Sequence, residues 1–142
     1  APRSRPSARL SAASGQRWAG AGISSGSAGL APRWRRRAVD GVMRAVQHCG
    51  GLTESRRIAA IAARYGGAVA PHIPSGPVAT AASVQLCAAM SNFDILEHQW
   101  GEVPWRGDLL EPPERFENGR IRVPDAPGFG VELNEAVARE HA

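Results

Sequence analysis

The segment from Gly66 to Pro77, with the sequence GGAVAPHIPSGP, constrains the fold of this chain more than any other. A short apolar run ends at His72, and a turn of Pro, Ser and Gly separates it from a second apolar stretch. A strand-like run, a turn and a helical pattern in this order predict one strand–turn–helix unit. Such a unit carries an ionisable side chain at the carboxyl end of its strand.

Two similar units flank this segment. Upstream, the apolar run from Val39 to Gln47 precedes a helical pattern from Thr53 to Tyr65, in which Thr53 is a candidate N-cap. Downstream, a helix predicted from Pro77 to about Met90 leads to a third apolar run from Phe93 to Glu97. The chain therefore alternates between strand-like and helical segments, which is typical of α/β proteins.

The spacing of the three strand ends supports this interpretation. The predicted ends near Ala45, His72 and Glu97 lie 27 and 25 residues apart, close to the roughly 30 residues of one βαβ unit. We therefore expect the three positions to be neighbours at the edge of a parallel sheet where α/β barrels carry their chemistry. A complete (β/α)₈ barrel takes about 250 residues, whereas this chain has 142. The predicted fold class is α/β, a partial (β/α)₈ TIM barrel of three βα units.

The first 37 residues differ in composition from the rest. They contain no acidic residue and are rich in Arg, Ser, Ala and Gly. Residues 1–49 hold nine arginines against the single acid Asp40, whereas residues 50–142 hold eight arginines against twelve acids. We predict that residues 1–37 are disordered or non-native and that residues 38–142 form the domain. A basic arm for nucleic acid and a transit peptide are the functional alternatives.

The lengths of the apolar runs and the spacing of the cysteines bear on two further classes of protein, membrane-spanning proteins and metal-binding proteins. No stretch approaches the roughly 18 apolar residues that a membrane span needs. The two cysteines, Cys49 and Cys87, have no metal-type spacing, and we expect buried free thiols in a cytoplasmic protein.

Two stretches of sequence carry a family resemblance. They are GGLTESRRIAAIAARYGGAVAPHIPSGPVATAASVQLCAAMSNFDILEHQWGEVPW and ENGRIRVPDAPGFGVELNEAVAREH. Over about Val39 to His141, the chain resembles the last part of the barrel domain in the mandelate racemase and muconate lactonising enzyme family of the enolase superfamily. The galactonate dehydratase-like branch is the most similar. The resemblance implies that the three units are the last three of the barrel, followed by a C-terminal extension.

The resemblance also implies a chemistry. Members of this family abstract a proton beside a carboxylate and hold the enediolate on Mg²⁺, so the implied activity is that of a lyase (sugar-acid dehydratase) or an isomerase (racemase or cycloisomerase). By this pattern, His72 matches the acid or base at the end of the seventh strand. Glu97 matches the eighth-strand carboxylate near the substrate. A sugar acid is the implied substrate, and family members are usually homo-oligomers.

The sequence departs from the family pattern in its metal and orienting residues. The resemblance puts an Asp on the sixth strand to orient the histidine, but Ala45 stands there. We therefore expect the His72 ring to lack an orienting partner. The metal carboxylates of the family lie on the third to fifth strands, which the resemblance does not include, so no residue is assigned as a metal ligand. We predict a fragment that is inactive as this chain.

Other ionisable and aromatic residues have simpler interpretations. We expect His48 and His98 to be incidental, although His98, beside Glu97, could reach the same cavity. Trp100 and Trp105 either line the pocket or cover the barrel rim, and we favour the rim. We expect an acidic loop to be solvated surface. The loop acids are Glu102, Asp108, Glu111, Glu114 and Glu117. The alternative functions are a basic nucleic-acid-binding protein, which the arginine-rich segment suggests only weakly, and a non-catalytic interaction protein.

Overall fold

A computed structural model describes residues 19–21 and 40–142. The strands are β1 Ala19–Ala21, β2 Gly41–Met43, β3 Ala68–Val69, β4 His72–Ile73, β5 Glu97–His98, β6 Leu110–Glu111, β7 Phe116–Glu117, β8 Arg120–Ile121 and β9 Glu132–Leu133. The α-helices are α1 Val46–Cys49, α2 Gly51–Arg64, α3 Pro77–Ala88 and α4 Glu135–Glu140, and Arg106–Asp108 forms a 3₁₀ helix.

The first five strands are parallel to their neighbours. β2 lies between β1 and β3, and β4 pairs with β5. Backbone hydrogen bonds join the two sheets. His72 N of β4 donates to Arg44 O, which follows β2, and an isolated parallel bridge joins Val69 of β3 to Phe93. Helices α2 and α3 connect successive strands, as parallel pairing requires. The predicted α/β alternation is therefore confirmed for this part of the chain.

Helix α2 is amphipathic and forms one wall of the core. Its buried face includes Ile58, Ala59 and Ala62, which pack with Val42 of β2 and Val69 of β3. The helix begins at Gly51 after Gly50, whose φ of 107° suits a residue without a Cβ. Thr53 therefore lies inside the helix, and the prediction that it caps the helix start was wrong. The helix begins at Gly51, the second residue of the Gly-Gly pair after Cys49, two residues before the predicted start at Thr53.

Helix α3 is buried on most sides. Pro77 occupies its first turn, where the missing N–H costs no hydrogen bond. Its buried residues include Thr80, Ser83 and Val84. The predicted all-round apolar character of this helix is confirmed, and the helix ends at Ala88, two residues before the expected Met90.

The strand predicted from Val39 to Gln47 is shorter than expected. Only Gly41–Met43 pairs as β2, and the chain turns at Ala45 into the short helix α1. An apolar run of this length does not distinguish a strand from a buried helical turn. Similarly, Phe93 forms only an isolated bridge before β5 at Glu97–His98.

After β5, the chain forms an extension that packs beside α3. Two antiparallel pairs, β6 with β9 and β7 with β8, frame it. Gly130 has a φ of 72°, and a Cβ there would lie 2.3 Å from Cβ of Pro124. The extension therefore uses Gly130 for a close approach to Pro124. Asn134 caps α4 by accepting a hydrogen bond from Val137 N.

The prediction for residues 1–37 falls almost entirely outside the described residues. Three of them are described, and they form β1, which pairs in parallel with β2 in the register Ala19 with Gly41. At these three positions the chain forms a strand, and the prediction for the other residues of this segment lies outside the described residues. Small Ala and Gly side chains give no period from which a strand could be predicted, because the pairing uses backbone groups alone.

Candidate functional site

The site is built on the ends of two adjacent parallel strands. The register of β4 and β5 places His72 opposite Glu97. Backbone hydrogen bonds fix this register, since Glu97 N donates to Pro71 O at 3.0 Å and His72 N donates to Arg44 O at 3.2 Å. The sequence-predicted pair is therefore brought together at one sheet edge.

The two side chains form a direct contact. His72 Nδ1 lies 2.6 Å from Glu97 Oε2, and each side chain is a little under half exposed. Because an ionised carboxylate only accepts hydrogen bonds, the contact places a proton on Nδ1. Nε2 then remains for proton exchange with a bound molecule.

Ala45 does occupy the position of the expected orienting acid, but the His72 ring is not without a partner. Ala45 is 5% exposed and carries no acceptor. The expectation that the ring lacks an orienting group was nevertheless wrong, because Glu97 contacts Nδ1 from the neighbouring strand. Glu97 was expected to lie near His72 but not to take the place of the missing acid, and the register of β4 and β5 brings it to that position.

The turn after His72 is held from two sides. Gln47 Nε2 donates to Ser75 Oγ, and Arg106 Nη1 donates to Ser75 O at 3.1 Å. Gln47 follows β2 and Arg106 belongs to the C-terminal extension. The turn that connects β4 to α3 is therefore tied to elements on both sides of it.

Arg106 is the functional candidate that the sequence analysis missed. It is 8% exposed and forms ion pairs with Glu102 and Glu114. Burial opposes its charge, but the hydrogen bonds and charge of Glu114, with those of Glu102, hold the pKa of Arg106 above its ordinary value. These two acids are not solvated surface as predicted. In the sequence, this cluster is indicated only by the i, i+4 spacing of Glu102 and Arg106.

His98 is also not incidental in its packing. Its ring lies 4.6 Å from that of Phe116 and 6.3 Å from that of Trp100. Burial, followed by the charge of Arg106, lowers its pKa. Trp100 is 75% exposed, whereas Trp105 stacks on His141 at 4.2 Å. His48 is exposed on α1.

Both thiols lie in the interior of the protein. Cys49 and Cys87 are both buried and free, as predicted. Burial raises the pKa of Cys87 to about 12, so its reactive thiolate form is suppressed at neutral pH.

A cavity of about 330 Å³ lies between α3 and the extension, away from His72 and Glu97. Its lining is mostly apolar and includes Val84, Leu110, Ile121 and Pro124. Within residues 19–21 and 40–142, no helix is long and apolar enough to cross a membrane. Nor do these residues bring three or more metal-ligating side chains together.

Parallel strands joined by helices, with an acid and an imidazole in contact at adjacent strand ends, define an α/β domain. The sequence matches the family described as Enolase C-terminal domain-like over residues 7–137. The chain belongs to this family. The match includes most of the arginine-rich segment and so begins well before Val39, where the motif-based resemblance begins.

Curated relatives agree with this assignment. The chain is 36% identical over 104 residues to D-xylonate dehydratase of Haloferax volcanii. It is 37% identical over 103 residues both to muconate cycloisomerase 1 of Rhodococcus opacus and to D-galactonate dehydratase of Ralstonia pickettii. These matches cover 73%, 70% and 68% of this chain. The chain spans about a quarter of the length of each relative, 25% to 27%.

Solved structures show the same fold. A mandelate racemase/muconate lactonizing enzyme from Sulfitobacter sp. superimposes with a TM-score of 0.87 at 32% identity, covering 99% of this chain and 35% of its own. An enolase from Agrobacterium radiobacter, bound to sodium and L-malate, superimposes with a TM-score of 0.85 at 27% identity, covering 98% of this chain and 39% of its own.

Proposed function

We propose that this chain is the C-terminal part of a (β/α)₈ barrel from an acid-sugar dehydratase of the mandelate racemase type. In this proposal, residues 38–142 supply the last three βα units and the extension. The 2.6 Å contact between His72 and Glu97 at adjacent strand ends carries the proposal. Support also comes from the relatives, two of which are named as sugar-acid dehydratases.

His72 is the proposed proton-transfer group. Its contact with Glu97 fixes the ring and keeps a proton on Nδ1, so that Nε2 is the atom that exchanges a proton with the carbon beside the substrate carboxylate. The partial exposure of both side chains leaves them accessible to a substrate. Glu97 therefore both orients the imidazole and stabilises its positive charge when the ring takes up a second proton.

The residues present do not fit a Mg²⁺ site by themselves. The described part of the chain contains no group of three metal-ligating side chains. The sequence before Asp40 contains no Asp, Glu, His or Cys. We therefore propose that the carboxylate ligands for Mg²⁺ come from polypeptide other than this chain. For this reason we propose that the chain alone is catalytically inactive.

The test is a chimera with a relative that is a named dehydratase. Residues 40–142 of this chain replace the matching segment of the D-galactonate dehydratase from Ralstonia pickettii, with Ala45 retained or changed to Asp. We expect dehydration of D-galactonate in the presence of Mg²⁺, faster with Ala45→Asp. His72→Asn should lower kcat by about 10²- to 10⁴-fold, as expected for loss of a general acid or base.

Matched variants separate the site from the rest of the chain. His48→Asn changes an exposed histidine and should leave kcat within about twofold of the parent chimera. The full chain alone, with or without Ala45→Asp, should show no turnover. An inactive chimera in both backgrounds, parent activity in His72→Asn, or turnover by the chain alone would each contradict the proposal.

A further inference from the structure

We propose that Arg106 is a positioning residue that sets the orientation of His72 through the turn at Ser75. This inference rests on the proposed function of His72 and extends it to a residue 34 positions further along the chain. Arg106 does not touch His72 or Glu97 in the described contacts. It acts on the backbone that carries His72.

The guanidinium of Arg106 bridges two groups of partners. On the side of the extension, Nε and Nη2 donate to Glu114 at 2.9 Å and 3.1 Å, and Nη1 pairs with Glu102. On the side of the barrel units, Nη1 donates to Ser75 O at 3.1 Å and Nη2 donates to Thr80 Oγ1 at 2.9 Å. All three guanidinium nitrogens are therefore engaged, and the planar group is fixed in one orientation.

The guanidinium of Arg106 lies next to the turn that follows β4. The strand consists of only His72 and Ile73, and Ser75 follows after Pro74. So short a strand makes few ladder hydrogen bonds, and its position relative to β5 depends on where the next turn is held. Arg106 holds the turn through the carbonyl of Ser75, and Thr80 places the first turn of α3 against the same guanidinium.

The two terminal nitrogens of the Arg106 guanidinium, Nη1 and Nη2, have different partners. Substitutions of these partners can therefore distinguish the proposed positioning role from a general structural role. Nη1 contacts Ser75 and Glu102, whereas the contact of Thr80 is with Nη2. A change that loosens the Nη1 side should move the turn and weaken the contact between His72 and Glu97. A change that removes only the Thr80 bond should lower stability and leave the His72 ring as it is.

The experiment measures the His72 tautomer in the full chain. The ratio of Nδ1–H to Nε2–H forms is read from the ring ¹⁵N chemical shifts at neutral pH, because the hydrogen bond at one ring nitrogen determines which nitrogen carries the proton. Arg106→Lys keeps the charge but cannot engage all the acceptors. We expect it to lower the Nδ1–H to Nε2–H ratio by about twofold or more.

A milder variant and a control keep the proposal open to refutation. Glu102→Gln leaves the guanidinium intact and weakens the ion pair on Nη1, so the ratio should change in the same direction even where Arg106→Lys fails to fold. Thr80→Val is nearly isosteric and should leave the ratio unchanged while lowering the urea midpoint. An unchanged ratio in Glu102→Gln, or an equal change in Thr80→Val, overturns the proposal. Failure of the proposed function would instead appear in the chimera, as full activity of His72→Asn.

Discussion

At the scale of single residues, His98 has an unusual environment. Neither ring nitrogen is open to solvent or hydrogen-bonded within the described part of the chain. Burial lowers its pKa, and the charge of Arg106 lowers it further, while Glu114 and Glu102 act in the opposite direction. The neutral ring, packed beside Phe116 and Trp100, is therefore the form that the folded state favours.

This environment predicts a loss of stability at acidic pH. Unfolded His98 takes up a proton near its ordinary pKa of 6.5, whereas the folded protein does so only at lower pH. Because the unfolded state then binds more protons, the free energy of unfolding falls as the pH drops through this range. His98→Phe keeps an aromatic ring and should lose less stability than wild type between about pH 7.5 and about pH 5.5.

Urea unfolding followed by tryptophan fluorescence measures this difference. His48→Phe is the control, since His48 is exposed on α1 and should leave the pH dependence close to that of wild type. Equal losses in wild type and His98→Phe would show that His98 is not the group responsible.

Single residues also show where sequence information was sufficient. The contact of His72 with Glu97 follows from a repeat of strand and helix that brings the ends of adjacent strands together. Arg106 could not be found in this way, because its partner Ser75 lies 31 residues away and belongs to a different repeat. Glu114 has the same appearance in sequence as the exposed Glu117, and only the contact of Glu114 with the buried Arg106 distinguishes the two.

At the scale of elements, Asn92, which precedes β5 in the chain, forms hydrogen bonds to α2 and to the turn after it. Its Nδ2 donates to Ala59 O at 3.0 Å and to Gly67 O at 2.9 Å. Its own backbone carbonyl accepts from Val69 N of β3. The side-chain amide of Asn92 therefore joins α2 to the turn after it, and its backbone carbonyl adds β3.

Asn92→Asp should destabilise the protein by about 2 to 3 kcal/mol, because an ionised carboxylate facing two carbonyl oxygens can donate to neither. The loss should shrink at acidic pH, where the carboxyl regains a proton. Urea unfolding measures both effects. Asn134→Asp is the matched control, since Asn134 accepts a hydrogen bond as the N-cap of α4 and Asp serves equally well there. A loss of the same size in Asn134→Asp would contradict this explanation.

Elements also differ in how well the sequence predicts them. Helices α2 and α3 are recognisable from a long periodic or apolar pattern ended by Gly or begun by Pro. The strands are two or three residues long, so a small shift of their bounds changes most of the element. The paired strands of the extension are harder still, because each pair contains only two residues on each side.

At the scale of the whole molecule, the outermost of the described parallel strands include β5, which has exposed apolar side chains on either side of it in the sequence. In the described part of the chain, β1 pairs with β2 alone and β5 with β4 alone. Ile95, which precedes β5, is 66% exposed, and Trp100, which follows it, is 75% exposed. Unpaired strand edges beside apolar groups favour association between chains.

We therefore expect the full chain to self-associate, with an average mass above the 15.0 kDa of the monomer that rises with concentration. Ile95→Lys places a charge near β5 and should shift the average mass toward the monomer. Val78→Lys, at an exposed position on α3, is the control and should not do so. Light scattering coupled to size-exclusion chromatography measures the mass. A constant 15.0 kDa over a hundredfold range of concentration, on the order of 1 to 100 μM, would contradict the prediction that these strand edges drive association.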